Sequence, residues 1–489
     1  MHRSRSSILL SLLEWPICPP VRYTVGEAAP RCKWHSRRLS PRASARYNRR
    51  MQNCDPRLID HHIAWLSETI GPRLAGSTEE AAAADYIAET MRAHGAEVTI
   101  ERFPVRSRRV TEESCAFLHD GRWQEVPCST VGGSVGTDGQ TIEGDLVIVE
   151  PPMLRRESYD LYRGKAVMLL GTHIENPDHY RRLIAAGPAF LILVDVRYPA
   201  AEPRADGLFP AYVHAYGVVP TVAVPYQHAW RFANARSARV RIVGGPVDSQ
   251  SQNVIAELLP TAAAPIDDDQ PIVLVGGHHD TQADSPGADD NATGVAAVIE
   301  LTRLLAPIPR RRPVRLISFG AEEQLSVGSA SYVRTHRSEV ERRGGYVCNF
   351  DSFGSRMGWF DLHVCADGAT AGWLQELIEG HGVFSDYTID TVPYQDAFPF
   401  HAAGLPGHWV YRANCTAGRF YHHQPDDDRS KLDLTLIAAM IDAHARVVSE
   451  LAGAEAFPVS ARLPVDLREQ IERYWRDCFG GWDGFTDRG

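Results

Sequence analysis

From residue 272 onward the chain alternates between short apolar runs and longer amphipathic stretches, and this alternation limits the possible folds more than any other feature. Residues 272–275, 314–319, 346–350 and 408–411 have the length and the β-branched and aromatic content of strands. Between and after them, residues 293–305 place Val295, Val298, Ile299, Thr302 and Leu305 on one helical face, and 434–451 are helical by the same spacing. Strands alternating with helices of this length predict a mostly parallel sheet covered on both faces, a three-layer α/β/α architecture.

The upstream half reads differently. Between Pro56 and Gly95, Ile59, Ile63, Leu66 and Ile70 share one helical face, and Tyr86, Ile87, Met91 and His94 follow in a second helix. The loop 71–77 between them is rich in Gly and Pro, and Ser77 is placed to cap the second helix. Residues 97–103 alternate like a strand. Short strand-like runs at 145–149, 165–170, 190–195, 220–224 and 238–243, with a helix at 179–186, predict an inserted β-rich domain containing one or two helices. Residues 260–270 read as an acidic surface loop.

Charge divides the chain unevenly. The whole carries −10, but residues 1–50 hold eleven Arg or Lys against two acids, a +9 leader on a −19 body. An acidic body argues against general nucleic-acid binding. No apolar run approaches the roughly 18–20 residues that span a bilayer, so no membrane partner is expected. Only Lys33, Lys165 and Lys431 stand against 48 Arg, the skew of GC-rich coding. The leader therefore reads as a disordered or non-native extension, with Met51 as the natural start. Nine scattered Cys without a CxxC pair suggest neither a zinc ribbon nor a disulfide scaffold, and favour a reducing, cytoplasmic location.

The chemistry lies at the ends of the predicted strands. The run 272–275 leads through Gly276 and Gly277 into His278, His279 and Asp280; 314–319 leads into Glu322 and Glu323; 346–350 leads into Asp351. After 408–411 come Tyr421, His422 and His423, and the turn 287–294 carries Asp289, Asp290 and Asn291 between a strand and a helix. In open α/β sheets ligands bind beyond the carboxyl ends of the strands, so these groups are expected to converge. Imidazoles and carboxylates converging at one place are what a zinc centre requires.

The ordered set HHDT at 278–281, GADDNATG at 287–294, GAEE at 320–323, NFDSFG at 349–354 and YHHQPDD at 421–427 resembles the co-catalytic di-zinc exopeptidases, the family of bacterial leucyl aminopeptidases. Glutamate carboxypeptidase and the transferrin receptor belong to the same superfamily. GPRLAGS at 71–77 matches the family's lead-in, and 143–245 is similar to its protease-associated insert. The resemblance spans about residues 56–450. It implies a leader at 1–50, an N-terminal part of the peptidase domain at 51–109, an insert at 110–248, the catalytic domain at 249–455 and an extension at 456–489.

The resemblance also implies roles. His278 and Asp351 would bind one zinc, Glu323 and His423 the other, and Asp290 would bridge the two. Glu322 would be the general base, and Asp280 would orient His278. His422 is the alternative last ligand; if His423 ligates, His422 occupies the place of a transition-state donor, and if His422 ligates, Tyr421 recovers that role. The activity implied is removal of N-terminal residues from peptide substrates, with two Zn2+ and with a homodimer left open. A glutaminyl-cyclase-like, aminoacylase-like or carboxypeptidase-like metalloenzyme and a non-catalytic binding relative are the competing readings.

Overall fold

The computed structural model describes residues 53–484 except 156–157, 197–200, 205, 262–268, 414–419 and 461–462. The basic leader, Met51 and most of the expected 260–270 loop lie outside the described residues. The chain enters through helices α1 (Pro56–Ala64) and α2 (Thr78–Ala93). Asp55 and Ser77 cap them by accepting the backbone N–H groups of Arg57 and Glu80. Strand β1 (Glu97–His119) follows, much longer than the expected 97–103, and leads into β2 (Arg122–Val126), β3 (Ser129–Thr130) and β4 (Ile142–Val149). Next come β5 (Ala166–Leu170), α3 (Pro177–Ala186), β6 (Phe190–Val194), α4 (Pro210–Tyr216), β7 (Thr221–Ala223) and α5 (Tyr226–Arg231). Among its described residues this region thus has three α-helices where the spacing predicts one or two. Short α4 and α5 span too few turns to develop a helical period.

Strand β8 (Ser237–Leu258) returns alongside β1 in an antiparallel ribbon that runs from Glu97 opposite Glu257 to Leu118 opposite Ser237. The expected domain boundaries, after residues 109 and 248, both fall inside this ribbon. One irregularity interrupts its register, between Val110 and Glu112. Gly244 lies there with φ +112°, and a Cβ on it would overlap the Arg109 carbonyl. The position therefore demands glycine.

The remaining elements are β9 (Ile272–His278), α6 (Thr293–Leu305), β10 (Val314–Phe319), α7 (Val327–Thr335), α8 (Arg337–Arg343) and β11 (Gly344–Phe350). They continue with β12 (Trp359–Cys365), α9 (Gly368–Glu379), β13 (Ser385–Ile389), α10 (Ala397–Ala402), β14 (Gly407–Ala413), α11 (Leu434–Gly453) and α12 (Val465–Phe479). Strand order is β13-β12-β14-β11-β9-β10-β8-β4-β5-β6-β7-β3. The central run β14-β11-β9-β10 is parallel, and β8 and β12 join it antiparallel. Burial is complete along β9 and β10, as a sheet covered on both faces requires.

On one face, α1, α2, α6, α9 and α11 pack a core that includes Ile63, Ile87, Val298, Leu374 and Ile441. On the other, Tyr332, Val333, Val340 and Phe400 from α7, α8 and α10 cover Ile317 and Phe319. The region 110–248, expected as an insert, has two apolar clusters, one on each side of β5 and β6: Val167, Leu169, Leu191 and Leu193 point to one, Met168, Phe190, Ile192 and Val194 to the other. The architecture is therefore mixed α/β around a large, mostly parallel sheet. Strands β12 and β13 escape sequence reading because Asp361, His363, Asp386 and Thr388 dilute their apolar signal.

Candidate metal centre

Parallel pairing brings the strand ends to a common edge. Register sets Phe319 opposite His278 and Asn349 opposite Gly276, so the residues that follow β10 and β11 meet beside His278. Close approach at this edge is possible because two positions lack a side chain. A Cβ on Gly277 would stand 3.0 Å from the Phe350 carbonyl oxygen, and one on Gly294 would overlap the same atom. The N-terminus of α6 thus lies directly on the sheet.

Asp290 stands at the centre of the cluster. Its Oδ1 is 3.2 Å from His278 Nε2, while Oδ2 is 3.2 Å from His423 Nε2 and 2.9 Å from His422 Nδ1. His278 Nε2 also lies 3.3 Å from Asp351 Oδ1 and 3.9 Å from Glu322 Oε2. His423 Nε2 lies 3.0 Å from Glu323 Oε2. His422 stacks on the His423 ring at 3.6 Å between centroids and makes no comparable approach to Glu323 among the described contacts. His278, Asp290, Glu322, Glu323, Asp351, His422 and His423 therefore meet here. His279 points the other way, to Ser318 Oγ at 3.0 Å, where burial lowers its pKa to about 3.

Carboxylates hold the outer sides of both histidines. The Asp280 carbonyl oxygen is 3.2 Å and its Oδ1 3.5 Å from His278 Nδ1, and its carboxylate accepts the backbone N–H groups of Glu322 at 2.9 Å and Glu323 at 3.2 Å. One side chain thus fixes both the imidazole and the turn that carries the two glutamates. On the other side, His423 Nδ1 is 2.6 Å from Asp206 Oδ1, a residue of the insert.

Several residues that the sequence reading gave no role build the support. Asp427 accepts the N–H groups of Asp289 and Asp290, each at 3.0 Å. Asn291 donates to the Phe350 carbonyl at 2.8 Å and accepts from Gly294 N–H at 2.8 Å. Arg73, fully buried, donates to the carbonyls of Leu66, Gly71, His279, Pro286 and Gly287, tying the 71–77 loop under the site. The sequence signals were present for Asp427 and Arg73, which lie inside the motifs quoted above. For Asp206 there was none. Ala321, Ser352 and His423 have φ of +53°, +51° and +59°, strained values that non-glycine residues adopt chiefly where surrounding structure enforces them.

Electrostatics describe a site short of positive charge. Burial, with Asp290 beside it, raises Glu323 to about 7; burial, with Asp396 and Asp351 nearby, raises Glu322 well above the carboxylate range. Burial alone would lower His278, but Asp351, Asp280 and Asp290 raise it well above its ordinary value. Glu323 Oε1 is buried with no hydrogen-bond partner among the described residues. Ligand atoms of His278, Asp290 and Glu323 lie within 4.8 Å of one another, as do those of Asp290, His422 and His423. An orphaned carboxylate oxygen inside a set of oxygen and imidazole donors fits a divalent cation, which compensates the crowded negative charge.

A doubly covered, mostly parallel sheet with such a cluster at its carboxyl edge defines an α/β metal-dependent hydrolase. More narrowly, residues 253–448 match the model of peptidase family M28. Aminopeptidase YwaD of Bacillus subtilis is 27% identical over 354 residues, covering 70% of this chain and 72% of that protein. Human carboxypeptidase Q is 25% identical, with 57% of this chain and 61% of that protein covered. Among solved structures, a zinc aminopeptidase from Bacillus subtilis shares the fold at a TM-score of 0.68 and 21% identity, covering 84% of this chain and 98% of that one. An aminopeptidase from Aneurinibacillus shares it at 0.64 and 22% identity, covering 86% and 98%.

Proposed function

We propose that the protein is a zinc-dependent exopeptidase, an aminopeptidase that hydrolyses the N-terminal bond of peptide substrates. The observation that carries this reading is the grouping of His278, Asp290, Asp351, Glu323 and His423 around a shared carboxylate, with Glu322 beside it. His278 and Asp351 would hold one zinc and Glu323 and His423 a second, with Asp290 shared by both. His423 is favoured over His422 as the last ligand because only His423 Nε2 approaches both Asp290 and Glu323. Zinc bound there supplies Lewis acidity toward the scissile carbonyl and lowers the pKa of water toward about 7.

The chain's own residues do the rest. Glu322 is held by its backbone N–H on Asp280 and by Ser326 Oγ on its Oε1 at 3.1 Å, which leaves Oε2 toward the His278 side of the cluster. From there it accepts the proton of the attacking water and returns it to the departing amine. The His422 side chain, 32% exposed, stands at the rim, where it donates to the oxygen that gains negative charge. Asp280 keeps Nε2 of His278 turned inward. Cytoplasmic action belongs to the same proposal, as does the role of residues 110–248 as a protease-associated-type insert.

A panel of aminoacyl anilides with free and blocked amines, with and without chelator, tests the activity. Cleavage confined to free-amine substrates and abolished by chelator is the expected result. Preference for blocked amines, or hydrolysis indifferent to chelator, would overturn it.

A further inference from the structure

We infer that the insert supplies a positioning residue to the metal centre: Asp206 orients His423 and tunes zinc affinity at the Glu323–His423 side. The inference rests on the reading of the site as a zinc centre. Its basis is the matched environment of the two histidines. Each turns Nε2 toward Asp290 and presents Nδ1 to an acidic residue: Asp280 for His278, with its carbonyl oxygen at 3.2 Å and Oδ1 at 3.5 Å, and Asp206 Oδ1 at 2.6 Å for His423. A carboxylate on the outer nitrogen fixes the tautomer that leaves the inner nitrogen free to ligate, sets the ring orientation and raises the basicity of the ligand.

Asp206 is placed by a chain of contacts that belongs to the insert. Its carbonyl accepts Gly132 N–H at 3.2 Å, and the Gly132 carbonyl accepts Leu208 N–H at 2.8 Å. The turn at 131–134 is in turn tied to β7, through Val131 N–H on the Thr221 carbonyl at 3.1 Å and Thr221 N–H on Ser134 Oγ at 2.8 Å. Immediately after Asp206 the backbone presses on the glutamate turn: a Cβ on Gly207 would stand 3.3 Å from the Glu323 carbonyl oxygen. A second point of docking lies at Tyr394, whose hydroxyl is 3.2 Å from Glu175 Oε1 and 3.4 Å from His173 Nε2, both residues of the insert.

The β1–β8 ribbon explains how so distant a residue is held accurately. It crosses from the main sheet into the insert without a linker, so the two regions share continuous hydrogen-bonded strands. A flexible tether would allow Asp206 many positions, and the ordering cost would oppose the contact. The ribbon removes most of that freedom in advance.

Zinc binding by the full chain tests the inference, with Asp206→Ala and Asp206→Asn compared with the unaltered protein. Stepwise removal of zinc by a competing chelator reads the two sites separately, and melting of the zinc-free protein reads folding. Asp206→Ala is expected to weaken one zinc by about 10–100-fold and leave the other unchanged, with zinc-free melting preserved. Asp206→Asn, which keeps an acceptor but not the charge, is expected to lose less. Unchanged affinity in Asp206→Ala would overturn the inference, and so would equal weakening of both zincs together with lower zinc-free melting. An unaltered protein that binds no zinc refutes the proposed function itself, and the inference with it.

Discussion

His278 and His423 face the same carboxylate and rest against carboxylates of their own, but those partners come from very different distances. Asp280 lies two residues beyond His278, just past the end of its strand. Asp206 lies 217 residues from His423 and belongs to the insert. The His278 side is therefore assembled by parallel strand register, which fixes every member once β9, β10 and β11 pair. The His423 side depends on how a loop after β14 meets a separate layer of the molecule. One half of the centre follows from the sheet, and the other from docking.

The largest expected effect concerns Glu322, on the His278 side. Glu322→Gln should retain zinc yet lose about 10²–10⁴-fold in kcat, as expected for a general base. Metal analysis alongside steady-state kinetics checks this, and retained turnover would remove Glu322 from the mechanism. A smaller effect sharpens the contrast between the sides. Asp280→Asn should weaken zinc on the His278 side about 10–100-fold in the chelator competition, the mirror image of Asp206→Ala. If the two variants weaken the same zinc, the division into halves is wrong.

Asp427 supports the bridge that both halves share. Asp427→Asn directs an amide N–H₂ at one of two buried backbone N–H groups and should cost about 1–3 kcal/mol, read by denaturant unfolding of the zinc-free protein. No change in stability would show that the two bonds to Asp289 and Asp290 are dispensable.

The smallest effect is a control placed behind the sheet edge. His408 and His444 are buried, with their Nε2 atoms 2.9 Å apart; burial lowers both, His444 to about 4. A depressed histidine pKa means that the unfolded chain takes up protons first as the pH falls. Stability due to the neutral form is therefore complete well above about pH 6.5 and is lost progressively as pH falls from there toward 4. For His444 alone this amounts to about 0.7 kcal/mol between pH 7 and 6. His444→Leu should flatten that part of the pH profile of unfolding; an unchanged slope would show that the pair does not titrate in this way.

Legibility followed the distance over which each feature is encoded. Strand β10 and helix α6 fall on the residues expected of them, because each is written in a local period and bounded by Gly or Pro. Gly276 and Gly277 instead continue β9 as far as His278, since a residue without a side chain lets Phe350 and α6 approach the strand. The ribbon was legible only at its ends. Polar residues such as Arg106, Arg108, Asp248 and Gln250 break the apolar alternation between them, yet backbone pairing continues through the break. Helix α12 and strands β12 and β13 lacked a chemical landmark and went unread.

The sequence by itself determined the alternation of strands and helices, and hence the edge at which His278, Glu322, Glu323 and Asp351 emerge. Order along the chain and strand register are enough for that, because parallel neighbours end on the same side. The motif at 421–427 already pointed to His423 rather than His422, by resemblance; tertiary structure alone decided which residue stands behind His423. That contact joins segments 217 residues apart, where no local period links one residue to the other. Only the packing of the insert, carried on the β1–β8 ribbon, brings Asp206 within hydrogen-bonding distance of the centre.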